Sequence, residues 1–324
     1  MTARQVLVVA LGDVRGPVLE AVTLARTLGT PTVLSLQPLA EPDLHALGTA
    51  GVERALVAEL GDARHAAAVA GRAVATAAEV TGAHRVLLPT SFVAKEVAAH
   101  AAWLLDAGLL LDVASLAEDG DTDQVVGGKR VFAGTWETRC AVTCPVAVAT
   151  VRANAVVATP ADRAASTAAE PLQVDATLPR GLELLEREVR PTAGRPALAE
   201  AATVVLGGRG TEGDFAAVEE LADVLGAAVG TTRDCVDEGW QPHDAQVGQT
   251  GVTIAPRLYI GAGISGAPHH HGGMQASGTI VAVNVDPDAP LVQIADFAVI
   301  GDLQEILPAA AAAIREHLDQ SRGS

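Results

Sequence analysis

A chain of 324 residues with 49% hydrophobic and 19% charged residues has apolar surface enough for two packed domains, which excludes global disorder. Aromatics make up only 2%, so Ala, Val and Leu must fill the core, and base-stacking recognition of nucleic acid is excluded. Against 39 Asp and Glu stand 22 Lys and Arg, only two of them lysines (Lys95 and Lys129), and a net charge of −17 repels nucleic acid and anionic membranes alike.

No apolar run approaches the ~18–20 residues that cross a bilayer, so membrane insertion is not expected. Residues 6–11 are too short for a signal peptide and are followed at once by Asp13 and Arg15, which makes them a strand. Cys140, Cys144 and Cys235 are too few for a disulfide framework, and a reducing cytoplasm is the expected compartment.

In chain order, residues 6–11 read as a strand and 17–28 as a helix closed by Gly29. Strands follow at 33–36 and 55–60, then a helix over 63–80 ending near Gly82, a strand at 85–89, and a helix over 95–107 closed by Gly108. Segments 131–133 and 146–151 are strand-like. Strands alternating with helices predict crossover units and a mostly parallel sheet. Between 152 and 196 five prolines punctuate the chain, with 181–189 extended or helical, and the domain boundary is placed there. The expected domains are 1–190 and 195–324.

From Arg195 onward there are 6 basic and 17 acidic residues. Apolar runs at 203–206, 227–229, 258–262, 280–283 and 298–300 predict five strands, with helices over 214–225 and 303–318. In parallel sheets ligands bind outside the carboxyl ends of strands, so the residues just after each run matter most. They are Gly207-Gly208-Arg209-Gly210; Thr231, Thr232 and Arg233; Gly263-Ile264-Ser265-Gly266 with Pro268 and three histidines; Asn284 and Asp286; and Gly301-Asp302. The loop Val247-Gly248-Gln249-Thr250-Gly251 lies between the second and third. Glycines let the main chain approach phosphates, and two arginines in an acidic domain suit a bound anion. The pattern is neither a P-loop nor GxGxxG, and a nucleotide cofactor with a pyrophosphate is the reading it supports. Turn glycines of an ordinary α/β domain are the alternative.

The segments AAVGTTRDCVDEGW, VGQTGVTIAP, LYIGAGISGA, GTIVAVNVDPDAP and DFAVIGDLQEILP, with GGRG before them, resemble the FAD-binding domain of the electron transfer flavoprotein alpha-subunit family. TSFVAKEVAAHAAWLLDAGLLLDV and VFAG resemble that family's first domain more loosely. The resemblance implies two α/β domains, each with a mostly parallel sheet flanked by helices, the second a doubly wound FAD-binding domain. It also implies one FAD, held near the junction with a beta subunit.

Carried over by position, the resemblance puts Arg209 on the adenosine or pyrophosphate side and Arg233 by the flavin ring, with Thr232 where the family usually has Ser. Val247, Gly248, Gln249 and Thr250 would line the ring, the Thr250 hydroxyl close to N5. Ser265, Gly266, Ala267, Pro268, His269 and His270 would follow the pyrophosphate and ring, His270 being the imidazole near O2. Asn284, Asp302 and Leu303 would complete the adenosine end. Pro268 and His271 depart from an aliphatic pair, and Pro268 has no N–H to offer. A guanidinium ~4 Å from the ring would raise the potential by on the order of 150–200 mV as an upper bound, at an effective dielectric of ~20.

The histidine run has no carboxylate or cysteine at ligand spacing, so no metal is expected. No acid–base pair or nucleophile constellation appears. The expected function is an FAD-containing electron carrier and not an enzyme with its own substrate. It would accept electrons from flavoprotein dehydrogenases such as acyl-CoA dehydrogenases and pass them to a quinone-linked oxidoreductase. A flavin-dependent reductase and a paralogue without flavin are the alternatives.

Overall fold

The computed structural model describes residues 4–122, 124–131, 136–186 and 194–322. Packing divides the chain into two compact units, Met1–Arg130 with Glu137–Val189, and Val131–Trp136 with Arg190–Ser324.

The chain up to Pro171 runs β1 (Gln5–Ala10), α1 (Gly16–Leu28), β2 (Thr30–Ser35), α2 (Glu41–Thr49), β3 (Arg54–Val57), α3 (Ala67–Thr81), β4 (Arg85–Pro89), α4 (Phe92–Leu104), β5 (Gly108–Val113), β6 (Ser115–Glu118), β7 (Val125–Val131), β8 (Trp136–Val142), β9 (Ala147–Val151) and β10 (Ala168–Pro171). Seven strands form one sheet, ordered β10-β3-β2-β1-β4-β9-β5, and every pairing in it is parallel. A smaller sheet holds β6-β7-β8. Val6, Val8 and Ala10 of β1 pack with α1, while Leu7 and Val9 pack with α3 and α4. Burial on both faces explains why this run is apolar throughout rather than alternating.

Several expectations shift. The helix expected from 63 begins at Ala67, because a 3₁₀ turn at Gly61–His65 ends in extended Ala66. The strand expected over 55–60 stops at Val57. α4 starts three residues earlier than expected, capped by Ser91, whose hydroxyl accepts from the Ala94 N–H at 3.0 Å. It ends at Leu104, so Gly108 does not close it. Gly108 instead opens β5, where a Cβ would lie 2.4 Å from Val142 Cγ1. Helix α2 and strands β5, β6, β8 and β10 lacked a clear pattern. Val131 ends β7, while 132–133 lie outside the described residues, as do 187–189 of the stretch expected to be extended or helical. Residues 181–186 form neither helix nor strand.

The second unit runs β11 (Thr203–Gly207), α5 (Ala216–Leu225), β12 (Ala228–Thr231), α6 (Arg233–Asp237), β13 (Leu258–Ala262), α7 (Pro268–Met274), β14 (Thr279–Asn284), α8 (Pro290–Ile294), β15 (Phe297–Ile300) and α9 (Leu303–Arg322). Five parallel strands stand in the order β12-β11-β13-β14-β15. Val205 packs with α5 and α9 on one face, and Val204 and Leu206 pack with Ile254, Met274 and Leu291 on the other. The sheet is doubly wound, and its direction of growth reverses between β11 and β13. Among the described residues no helix is long and apolar enough to cross a membrane.

Candidate functional site

A cavity of about 580 Å³ opens at the carboxyl ends of the second unit's strands, where the order reverses. Its floor is a contact between two glycine turns. The Gly208 N–H donates to Ala262 O and the Gly210 N–H to Gly263 O, both at 2.9 Å. A Cβ on Gly208 would stand 2.4 Å from Gly263 O, and one on Gly210 2.7 Å from Gly263 Cα. Only glycine permits this approach.

The cavity wall contains Arg209, Thr232, Arg233, Val247, Gly248, Gln249, Thr250, Ser265, Gly266, Ala267, His269, His270, Asn284, Asp302 and Leu303. Pro268, at the first turn of α7, is not on the wall. Residues that motif reasoning left out also line it, among them Glu212, Asp234, Gln246 and Ala289. Gln246 sits one position before the VGQTG run, which is the signal that could have found it. Glu212 carries left-handed backbone (φ 51°) at the end of the turn that begins at Arg209, and nothing in its residue type announces that.

The electrostatics favour an anion on one wall. The main-chain N–H groups of Ile264, Ser265, Gly266 and Ala267 donate to no protein acceptor among the described residues. Amides left open beside a cavity are suited to an anion. Arg209 is exposed and has no carboxylate partner among the described residues. Arg233 donates from Nε to Asp237 at 3.2 Å, with its side chain 67% exposed. Opposite, Gln246 Nε2 donates to Thr250 Oγ1 at 3.0 Å.

Two expected contacts differ in kind. Asn284 is buried, its Nδ2 donating to Ile264 O at 2.9 Å and its Oδ1 accepting from the Asp286 N–H at 3.1 Å. It clamps two loops of the wall. His270 is also buried, with Nε2 2.7 Å from the Tyr259 hydroxyl and Nδ1 3.1 Å from Val247 O. Burial lowers its pKa to about 4, so it is neutral at physiological pH. Both ring nitrogens are taken, and the imidazole lines the cavity without a free N–H.

A family model described as the electron transfer flavoprotein FAD-binding domain matches residues 197–275, and one described as the electron transfer flavoprotein domain matches residues 6–177. The electron transfer flavoprotein subunit alpha of Mycobacterium leprae (strain TN) is 40% identical over 294 residues, 89% of this chain and 90% of the relative. The subunits alpha of Paracoccus denitrificans and Bacillus subtilis (strain 168) are 36% and 32% identical, over 93% and 92% of this chain and 97% and 92% of the relatives. The chain belongs to the electron transfer flavoprotein alpha-subunit family.

FAD is the cofactor of this family's second domain. The residues present fit it. The open amides of Ile264–Ala267 and Arg209, unpaired among the described residues, suit a pyrophosphate, and the glycine floor leaves room for close approach. Thr250, Gln249 and the wall carboxylates supply donors and acceptors for the ring and for sugar hydroxyls.

Proposed function

We propose that the chain is the FAD-holding half of a two-subunit electron carrier whose partner is the family's beta subunit. Residues 195–324 would form the FAD-binding domain and 1–190 the scaffold that also meets the partner. The observation that carries this reading is that four amides open among the described residues and Arg209, without a carboxylate partner among them, line one cavity.

Arg209 and the amides of Ser265–Ala267 bind the pyrophosphate. Arg233 and the Val247–Thr250 loop, with Thr232 beside them, border the ring, and His269 extends that wall. Asn284 shapes the adenosine end, where Asp302 and Leu303 stand at the start of α9. Bound FAD supplies one- and two-electron transfer, and the protein's part is to hold and tune it. Electrons arrive from flavoprotein dehydrogenases such as acyl-CoA dehydrogenases and leave to a quinone-linked oxidoreductase. The chain needs no substrate of its own. An apolar edge supports a protein partner: Phe297, Val299 and Ile300 of edge strand β15 are all exposed, and an uncovered edge of this kind invites another chain.

The test is reduction of the co-expressed alpha–beta complex by a flavoprotein dehydrogenase and its substrate. Bleaching of the flavin with no turnover of reduced nicotinamide by the complex alone is expected. Steady nicotinamide oxidation without a dehydrogenase would favour a reductase instead.

A further inference from the structure

Tyr259 is the largest fully buried side chain among the described residues, and it lies behind the cavity wall in β13, not on it. In an apolar layer of Val204, Leu206, Ile254 and Met274, a phenol is an expensive choice unless its hydroxyl does something. The hydroxyl meets His270 Nε2 at 2.7 Å, and His270 Nδ1 meets Val247 O at 3.1 Å. A carbonyl only accepts, so Nδ1 carries the ring proton. Nε2 is then a bare acceptor, and the phenol is the donor.

We propose that Tyr259 is a positioning residue for the FAD site: its O–H holds His270 in the Nδ1–H form, and that form ties down the Val247 carbonyl and with it the Val247–Thr250 wall. This rests on the cavity being the FAD site. The same loop is anchored from its other members, Val247 N–H to Thr231 O at 2.9 Å and Gln249 N–H to His269 O at 2.8 Å. The histidine supplies a link that depends on which ring nitrogen carries the proton. Protonating Nε2 would reverse the bond to Tyr259, the phenol oxygen then accepting and its own proton losing its acceptor, and burial keeps the phenol from giving that proton up. The groups facing the imidazole are Tyr259 from β13, the Val247 carbonyl from the loop, and His271 next along α7. His271 is itself held down by burial.

The experiment uses the alpha–beta complex stripped of flavin, with FAD as the probe and flavin fluorescence as the readout, from about pH 5 to pH 8. For the native complex a flat affinity is expected. Tyr259→Phe removes the hydroxyl and nothing else, so affinity falls about tenfold and the imidazole, no longer facing a donor at Nε2, ionises at a higher pH than in the native complex. That ionisation must persist when His271→Leu is added and vanish when His270→Gln is added. A Tyr259→Phe complex that binds FAD as tightly and as flatly as the native one overturns the proposal and leaves the FAD site standing. Native complex that takes up no FAD overturns the site itself. A second measurement needs no variant and no flavin. In ¹⁵N-histidine spectra at neutral pH, a protonated Nδ1 and bare Nε2 on His270 support the lock, and the opposite tautomer overturns it.

Discussion

The side-chain amide of Gln246 donates to the Thr250 hydroxyl across 3.0 Å, linking the buried start of the cavity loop to its exposed tip. With that oxygen accepting, the hydroxyl's own proton is left for an acceptor in the cavity. Thr250→Val should therefore weaken FAD binding about threefold to tenfold, while Thr250→Ser should stay close to the native value. Gln246→Leu should cost less and add little once Thr250 is Val. Titration of FAD into the four stripped complexes measures this coupling, and strictly additive losses would contradict it.

Asn284 spends both polar atoms on main chain, joining the turn after β13 to the turn after β14. Asn284→Asp replaces a donor by an acceptor facing Ile264 O. It should destabilise the second domain by about 2–3 kcal/mol in urea unfolding, more than Asn284→Ala. Equal stability of the Asp variant would show that the clamp carries nothing.

Gly263 has φ +63°, and a Cβ there would stand 2.7 Å from Leu303 Cδ2 and 2.8 Å from Gly210 Cα. Gly263→Ala should cost ~2 kcal/mol or more and push apart the two turns that floor the cavity. FAD affinity and denaturation midpoint should fall together. Gly226→Ala, left-handed with open space around it, should lower stability alone.

The second domain was largely legible in the sequence because four of its five strands are short apolar runs ended by glycine or a hydroxyl, and the other, β14, ends at Asn284. Thr203–Gly207 and Leu258–Ala262 show this plainly, and Arg209, Gly210 and Gly263 in the turns that follow them line the cavity. The first domain was less so. Strand β5 reads GLLLDV, without alternation, and β8, WETRCAV, alternates but carries Glu137 and Arg139 on the exposed side. β5 is placed by its pairing with β9 and by packing contacts such as Val142 against Gly108, which no local pattern contains. The residue types at the site were readable, but not which atoms remain free. Asn284 and His270 look like ligand contacts in sequence, and that they also bond Ile264, Asp286, Tyr259 and Val247 is visible only in the structure. Tyr259 gave no signal, since its partner comes from another element.

Burial lowers the His270 pKa to about 4 from 6.5. The unfolded chain then binds this proton more readily than the folded one between those values. Stability from this group is complete above pH 6.5 and lost as pH falls toward 4, by about 3 kcal/mol. His270→Gln should flatten that part of the stability–pH curve. An unchanged slope between the two values would mean the imidazole is not buried neutral.

Arg233 is 67% exposed and shares its charge with Asp237, so the upper-bound effect on the flavin potential does not apply. At water-like screening one charge ~4 Å away is worth ~1 kcal/mol, or about 40 mV for one electron. Arg233→Ala should lower the first reduction potential by about that much. Asp237→Asn should raise it, and spectroelectrochemical titration distinguishes the two.

The account depends most on the cavity of the second domain being where FAD sits. The decisive measurement is the visible spectrum of the alpha–beta complex, native and with Arg209→Glu, after addition of FAD and removal of the excess. Arg209 is exposed and partnerless among the described residues, so its reversal should leave the fold intact. A stoichiometric flavin in the native complex, lost in the variant, is the predicted result. A colourless native complex, or a variant that keeps its flavin as tightly as the native one, would contradict it.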